Sequence, residues 1–587
     1  MKKIILIMFS GVALLAPIFV LSQAPTLAWA KKQGQASSAT GPHKLEVAVN
    51  FGIDKDGDVY TSMNKYGGPA DTGSISKYSA AGNLIWTRVC EENFVHKAVK
   101  LIDLRTDSAG NVFVLGQTPN YEDKQMMIIQ KYNRNGTRVW EKIEQDPQIE
   151  YTPKKLMIDN SGNLVIGGEI GFPYGPNGGF LQYQLFLAKF SKQSGSRFWM
   201  DISYDSDYLT DLSVDPSGNP VAIGRTLGPG GGGHGAVLVI KYSSLGYFYW
   251  KHVFYPHTGI TTSGHEVKTD AAGNVYISTT FYHGINASHD YAVTKYSSSG
   301  TQQWSKEFAN ESDEELDPKM IVAHDGNVYA ALTAGYPSGT HDDRDLLVKK
   351  LAPTGALLWA RSYSSGELAI ENAFDMQLDQ QGNLYISGVT KKRDYGPGSN
   401  SEQAYQRKVL ALKYNSLGRR LWVINSAGEL DSDFPSAQKL ALFHPESSDP
   451  TLYVFGQTYF RNPPTISVDD ILLCKYVPAA TLKNSSVVAS AMELVSEKGF
   501  KVSSFPNPFH TTSTISFDLP YAANVDLTIY DVAGRQVTRL VSKQLPSGTH
   551  NVLFDASRYS GQQFYYTLSA LSEKGNFKET KSVLLIK

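Results

Sequence analysis

The stretch DSAGNVFVLG, Asp107 to Gly116, joins a turn to a strand, and the chain writes it repeatedly. It returns as DNSGNLVIGG from Asp159, DPSGNPVAIG from Asp215, DAAGNVYIST from Asp270 and DQQGNLYISG from Asp379, with DKDGDVYTSM from Asp54 ahead of them. A second phrase travels with it: KYSAAGNLIW from Lys77, KYNRNGTRVW from Lys131, KFSKQSGSRFW from Lys189, KYSSLGYFYW from Lys241, KYSSSGTQQW from Lys295, KLAPTGALLW from Lys350 and KYNSLGRRLW from Lys413. Each ends in tryptophan. Trp86, Trp140, Trp199, Trp250, Trp304, Trp359 and Trp422 lie about 50–65 residues apart, a spacing suited to one supersecondary unit repeated around a ring or solenoid.

Each unit divides into four short apolar or alternating runs, such as LIDLRTD, NVFVLGQT, MMIIQKY and RVWEKI, separated by Gly, Asn, Asp and Ser. That pattern predicts a four-stranded antiparallel meander, and radial repetition of meanders gives a β-propeller with short, protected edges. Asp-x-x-Gly-Asn then reads as the hairpin between first and second strands, its glycine taking positive φ after a type I turn. DKDGD from Asp54 also suits a calcium loop in part, although the bidentate acid such a loop needs is not at its place.

Turn phrases at Gly57, Gly110, Gly162, Gly218, Gly273, Gly326 and Gly382, with a degenerate eighth at PTLYVFGQT from Pro450, predict eight blades over 23–477, with seven as the alternative. The eighth unit has no tryptophan strand of its own. TLAWAKKQG supplies one from the other end of the chain, since Trp29 precedes Gly57 by 28 residues, close to the 24 between Trp86 and Gly110. Ahead of it, two lysines, an apolar run and small residues form a secretory leader, read as residues 1–22. Ala28-Trp29-Ala30 has the look of a cleavage site, but a cut after Ser22 keeps the closing strand.

With these linked phrases, D..GNVY..G followed by KY...G...W, residues 25–477 resemble the secreted bacterial β-propeller repeat family, which implies an architecture and no catalytic residues. A polar, serine-rich linker is expected over 478–502, and about seven strand signals follow, the pattern of a small immunoglobulin-like sandwich over 503–587. This segment resembles the type A sorting domain of the type IX secretion system. The resemblance rests on Pro506-Asn507-Pro508-Phe509, Tyr530-Asp531 with Gly534-Arg535, Gly548 and the terminal SVLLIK ending at Lys587. It implies the secretion machinery and its sortase as partners, release or attachment to a surface glycolipid, and a bacterium of the Bacteroidota or a neighbouring phylum.

A net charge of −1 over 587 residues, with acids and bases interspersed, argues against nucleic acid as a partner. Cys90 and Cys474 are the only cysteines, so disulfides do not carry the fold. The unlike segments between second and third strands are expected as loops on one face, with Phe172, Tyr174, Tyr282, Tyr336, Tyr395 and Tyr459 as candidate contacts to a glycan or protein ligand. Catalytic residues, metal ligands and cofactors are expected to be none: His283 with His289, or His252 with His257, gives no third zinc ligand. The alternative is an enzyme working in the central funnel, a glycan hydrolase or lyase needing paired carboxylates, or a quinoprotein.

Overall fold

The computed structural model describes residues 24–478 and 501–585, apart from segments 34–44, 67–71, 93–96, 121–123, 175–179, 204–207, 227–235, 255–260, 283–288, 313–317, 336–343, 367–368, 394–404, 427–432, 448, 463–464, 506–508, 520–521, 532–535, 560–562 and 573–574. Its regular structure is β-strand throughout, in two compact units, Met1–Ala480 and Thr481–Lys587.

In the first unit, residues 45–90, 100–144, 150–203, 208–254 and 261–312 each form a four-stranded antiparallel meander. Residues 319–363 and 369–426 form two more, joined by a single parallel bridge between Arg344 and Ile370. A last sheet takes three strands from 433–477 and its fourth from Thr26–Gln33. We number these sheets one to eight in that order. First strands pack against first strands from sheet to sheet, and that of sheet eight packs against that of sheet one, so the succession closes. This all-β arrangement is consistent with a propeller. Continuous apolar runs such as VFVLG in second strands and MMIIQ in third strands are buried on both faces, because each sheet is covered by a neighbour on either side.

The repeated turn explains its own composition. Gly110 N–H donates to the Asp107 carbonyl at 2.9 Å and Asp107 N–H to the Asn111 carbonyl at 3.0 Å. Gly110 sits at φ 80°, where a side chain is strained. Asp107 Oδ1 accepts the amides of Ala109 and Asn111, and Oδ2 accepts the Asn111 amide side chain. The same set recurs at Asp215, Asp270 and Asp379. Sheet six carries Ala323 at this position, and Asp325 takes over the amide of Asn327.

The second unit packs the three-stranded sheet of Lys501–Phe505, Thr512–Leu519 and Gly548–Asp555 with the four-stranded sheet of Gln536–Leu545, Ala523–Asp531, Gln563–Ser572 and Gly575–Leu584 around one core. Alternation along Thr512–Leu519 sends Ser513, Ile515, Phe517 and Leu519 inward, against Leu527, Ile529, Phe554, Phe564 and Tyr566.

Candidate functional site

Chemistry-bearing residues of the first unit concentrate in three places: the seams between sheets, the first strands, and the turns into the fourth strands. At the seams, the repeated tryptophan reaches into the next sheet. Indole Nε1 of Trp86 donates to Arg134, of Trp140 to Lys192, of Trp199 to Ser244, of Trp250 to Ser298, of Trp304 to Pro353 and of Trp359 to Ser416, all to backbone carbonyls at 2.8–3.2 Å. Each ring lies against the glycine of that next turn, Gly136, Gly195, Gly246, Gly300, Gly355 and Gly418, where a Cβ would come within 2.6–2.8 Å of it. A β-bulge lies beside the repeated lysine, with Tyr78 opposite Leu84 and Lys77 opposite Trp86. Lysine often shares the work: Lys131, Lys189, Lys295 and Lys350 donate to the same carbonyl as the tryptophan of their own sheet.

Trp29 repeats this in sheet eight. It lies opposite Lys475, with the same bulge, and both donate to the carbonyl of Ala80 in sheet one. Trp422 of sheet seven is buried beside Tyr385 in the core shared with sheet eight. Among the described residues no glycine turn lies against it, sheet eight taking its fourth strand from Thr26–Gln33.

The first strands carry a feature the turn phrases do not announce. In sheets one to five, seven and eight, a bulge interrupts the pairing of first with second strand at matching places. The residue after it is Asn50, Asp103, Lys155, Asp211, Glu266, Asp375 or Lys439. Asp103 accepts the amide of Leu156, Asp211 that of Val267, Glu266 that of Met320 and Asp375 that of Leu440, each one sheet onward. Asn50 donates to Asp103 at 2.6 Å. Basic residues complete the girdle: Lys155 and Lys268 lie 3.3 and 3.0 Å from Asp211, and Arg105 lies 3.4 Å from Asp103. Burial alone would raise the Asp211 carboxyl, but the charges of Lys268 and Lys155 and the Val267 amide overcome it and hold it down at about 2. The signal was in the sequence as a carboxylate four residues ahead of the turn aspartate, in DLRTD, DLSVD and DMQLD.

The turn DKDGD holds a cation of the chain's own. The Arg134 guanidinium lies 3.5, 2.5 and 3.2 Å from Asp54, Asp56 and Asp58, and Lys77 lies 2.9 Å from Asp58. Asp54 accepts the Tyr60 hydroxyl and the amides of Asp56 and Asp58. These carboxylates serve the turn and the adjoining sheets. Among the described residues no cluster of three or more His, Cys, Asp or Glu could hold a metal ion. Cys90 and Cys474 are free and buried, and burial pushes both thiols up to about 12.

Among the described residues, the ends of the segments expected as second-to-third-strand loops belong to the flanking strands. EIGFPYGPNGGFLQYQ continues the hairpin of Leu164–Tyr174 with Phe180–Phe190, pairing Phe172 with Gln182 and Tyr174 with Phe180. Its Gly and Pro residues suggested a loop, yet Pro173 takes its place opposite Leu181 in the ladder. Phe172 is half-buried against the core between sheets two and three. Tyr282 ends the strand Val275–Tyr282, and Tyr459 lies within Thr451–Asn462. Tyr336 and Tyr395 lie outside the described residues, as do the histidines His257 and His283. His252 is engaged at a seam, its ring stacked 4.9 Å from Tyr296 and its Nε2 2.7 Å from the Gly300 carbonyl.

A group of open aromatic side chains occurs instead at the turn into the fourth strand of sheet four. Leu245, Tyr247, Phe248 and Tyr249 are 72, 69, 57 and 53% exposed. The corresponding residues elsewhere, such as Thr301-Gln302-Gln303 and Thr137-Arg138-Val139, carry no such run. In the sequence YFY has the look of any strand entry leading into the tryptophan.

In the second unit, Phe509 is buried against Phe554 and bridges to Leu585, tying the start of the unit to its end. Tyr530 pairs with Tyr565 across neighbouring strands, and Asp531 closes the strand Ala523–Asp531. Gly548 opens its strand at φ 127°, a conformation suited to glycine. Pro506, Asn507, Pro508, Gly534, Arg535 and Lys587 lie outside the described residues.

Residues 503–582 match the family model of the secretion system C-terminal sorting domain. The chain is therefore exported by the type IX route, to the cell surface or the medium, and the machinery of that route is its partner. No curated protein matches the chain. Among solved structures, it is similar to a polysaccharide lyase, ulvan lyase, at 10% identity over 61% of this chain and 91% of that one, with a TM-score of 0.32. It is similar to an apocarotenoid oxygenase of Synechocystis at 10% identity, over 59% and 95%, with a TM-score of 0.32. It is also similar to a eukaryotic initiation factor at 8% identity, over 64% and 87%, with a TM-score of 0.34.

Proposed function

We propose that residues 26–477 form an eight-bladed β-propeller closed by the N-terminal strand, which binds a glycan or protein outside the cell without catalysing a reaction. Residues 503–587 then act as an immunoglobulin-like sorting module that delivers the chain to the type IX machinery and its sortase. The likeness of the repeated phrases to secreted bacterial propeller repeats supports the first part, and the buried core with its Phe509–Leu585 bridge supports the second.

The observation that carries the binding reading is the exposed run Leu245, Tyr247, Phe248 and Tyr249. Aromatic faces with phenolic hydroxyls stack on sugar rings and anchor protein contacts, and sheet four sets three in succession where the other sheets carry at most one, Phe198 of sheet three. The charged side chains of the first strands support the same reading, being engaged with backbone amides or with one another across sheets. Phe172, Tyr174, Tyr282, Tyr336, Tyr395 and Tyr459 remain the candidates for a second contact surface.

The test is a glycan array and an extracellular-protein capture with the secreted protein, beside a variant carrying Tyr247→Ser, Phe248→Ser and Tyr249→Ser. Loss of a specific partner in the variant, at unchanged melting temperature, supports the reading. Retention of that partner moves the site to the loop candidates, and turnover of a bound glycan overturns the non-catalytic part.

A further inference from the structure

We propose that the type IX machinery takes hold of the second unit by strand addition, laying an extended segment of one of its components along the open edge of Gly548–Asp555. The inference rests on the type IX export that the match of residues 503–582 shows, and is independent of what the first unit binds.

Edges elsewhere in the chain are blunted. In all eight sheets of the first unit a bulge breaks the pairing of the fourth strand with the third beside the repeated lysine, so none of these strands presents an even row of backbone donors and acceptors. In the second unit, Gln536–Leu545 is bulged twice against Ala523–Asp531, and its exposed Ser542, Lys543 and Gln544 are polar. Lys501–Phe505 is only five residues long, and Phe509 beyond it bridges to Leu585. Gly575–Leu584 carries Lys578, Glu579 and Lys581.

Gly548–Asp555 has none of these guards. Its eight residues pair with Thr512–Leu519 in unbroken register, from Asp555 opposite Thr512 to Gly548 opposite Leu519, and its one carboxylate, Asp555, stands at the end. It is the last strand of its sheet, so alternate residues turn N–H and C=O away from Thr512–Leu519. Among the described residues those groups meet no backbone partner. Flanking side chains are held in place: Thr549 Oγ1 donates to Asp518, and the His550 ring lies on Phe517 with Nε2 2.9 Å from the Pro546 carbonyl. Phe554 is buried in the core, whereas Leu553 is 60% exposed on the outer face.

A regular edge with an outward leucine is what folded proteins avoid, because any extended chain can pair with it. In a unit that secretion machinery must grip, that edge is the grip. Its row of donors and acceptors matches extended backbone and no other ligand shape, and Leu553, opposite Thr514, gives an apolar contact to a side chain of the added strand.

The test is export of the full chain from a host with the type IX route, read as chain reaching the surface or medium against precursor retained in the cells. Asn551→Lys and Leu553→Lys put a charge on the exposed side of this edge and are expected to cut the exported fraction about tenfold, whereas Gln544→Lys on the bulged edge leaves it unchanged. Protease resistance of the retained precursor shows that the second unit is folded. A photo-cross-linking variant, Leu553→benzoylphenylalanine, is expected to join the chain to a component of the machinery, a readout that stands even where a lysine variant misfolds. Normal export of both lysine variants, or a cross-link only to a second copy of this chain, overturns the proposal and leaves the type IX route standing. Export of a chain lacking 503–587 would overturn that route as well.

Discussion

The seam between sheets eight and one and the seam between sheets four and five use one device under different covalent conditions. At both, a tryptophan donates to a carbonyl of the next sheet and covers a glycine at positive φ, Gly82 or Gly300. Trp250 belongs to a strand tethered at both ends within its own unit, and it is nearly fully buried. Trp29 is half-buried, on a strand whose partner lies more than four hundred residues away in the chain. The chemistry of a seam is therefore local, whereas the cooperativity of the whole succession hangs on the one seam that joins its ends.

The largest effect that sharpens this contrast comes from the tryptophans. Trp250→Ala is expected to cost about 3–5 kcal/mol in denaturant unfolding, as deletion of a buried indole does. Trp29→Ala should cost less in packing, yet selectively speed amide exchange in sheets one and eight. Uniform exchange changes across all sheets would break the distinction between the two seams.

The next effect is on pH dependence, and it belongs to the first strands. The folded Asp211 carboxyl lies at about 2, below its ordinary 3.8, through Lys268 and Lys155 acting against burial. A depressed carboxyl stabilises the fold above its unfolded pKa and loses that contribution as pH falls through the folded one. Stability should therefore decline from about pH 4 to pH 2. Asp211→Asn should remove about 2–3 kcal/mol at neutral pH and flatten that limb, measured by thermal melts across the range. An unchanged limb would detach Asp211 from the inter-sheet girdle.

A pair of glycines separates backbone strain from seam packing. Gly418→Ala places a Cβ 2.6 Å from the Trp359 ring at φ 78°, whereas Gly382→Ala, at φ 74°, meets nothing nearer than 3.8 Å. The second should cost about 1–2 kcal/mol for the left-handed backbone, and the first roughly 1–3 kcal/mol more from overpacking. Equal melting temperatures for the two variants would deny the tryptophan its role.

The smallest expected effect is a gain. Lys349 is buried with its Nζ 3.9 Å from the Phe308 ring centre, and burial, with the charge of Lys306, lowers its pKa to about 8. The unfolded chain binds the extra proton between about pH 8 and 10.5, so wild-type stability rises across that window. Lys349→Met should add about 1 kcal/mol at neutral pH, an advantage that fades above pH 8 in melts of both proteins.

How much of this was legible beforehand follows from what each residue does locally. Asp107, Gly110 and Asn111 act within one turn, so their roles could be read from one stretch, and the tryptophan spacing repeats the unit. The role of a companion carboxylate such as Asp103, Asp211 or Asp375 could not be read from the sequence, because it acts across two sheets. Only the bulge, a matter of pairing with the second strand, directs it at the next sheet. In EIGFPYGPNGGFLQYQ the Gly and Pro content reads locally as loop, since ladder pairing of Phe172 and Tyr174 depends on a partner strand no local pattern specifies. The exposed Tyr247, Phe248 and Tyr249 look like any strand entry until their exposure is known.

The closing strand is the central claim, and one cross-link tests it. Ala30 lies directly opposite Cys474 on the same face, and Cys474 is a free thiol. Antiparallel partners approach within the Cα range a disulfide requires. Mild oxidation of the secreted Ala30→Cys protein should join the introduced thiol to Cys474 and yield a compact, reducible species on denaturing electrophoresis. A protein whose thiols stay unlinked, or pair with Cys90 instead, would contradict the closure.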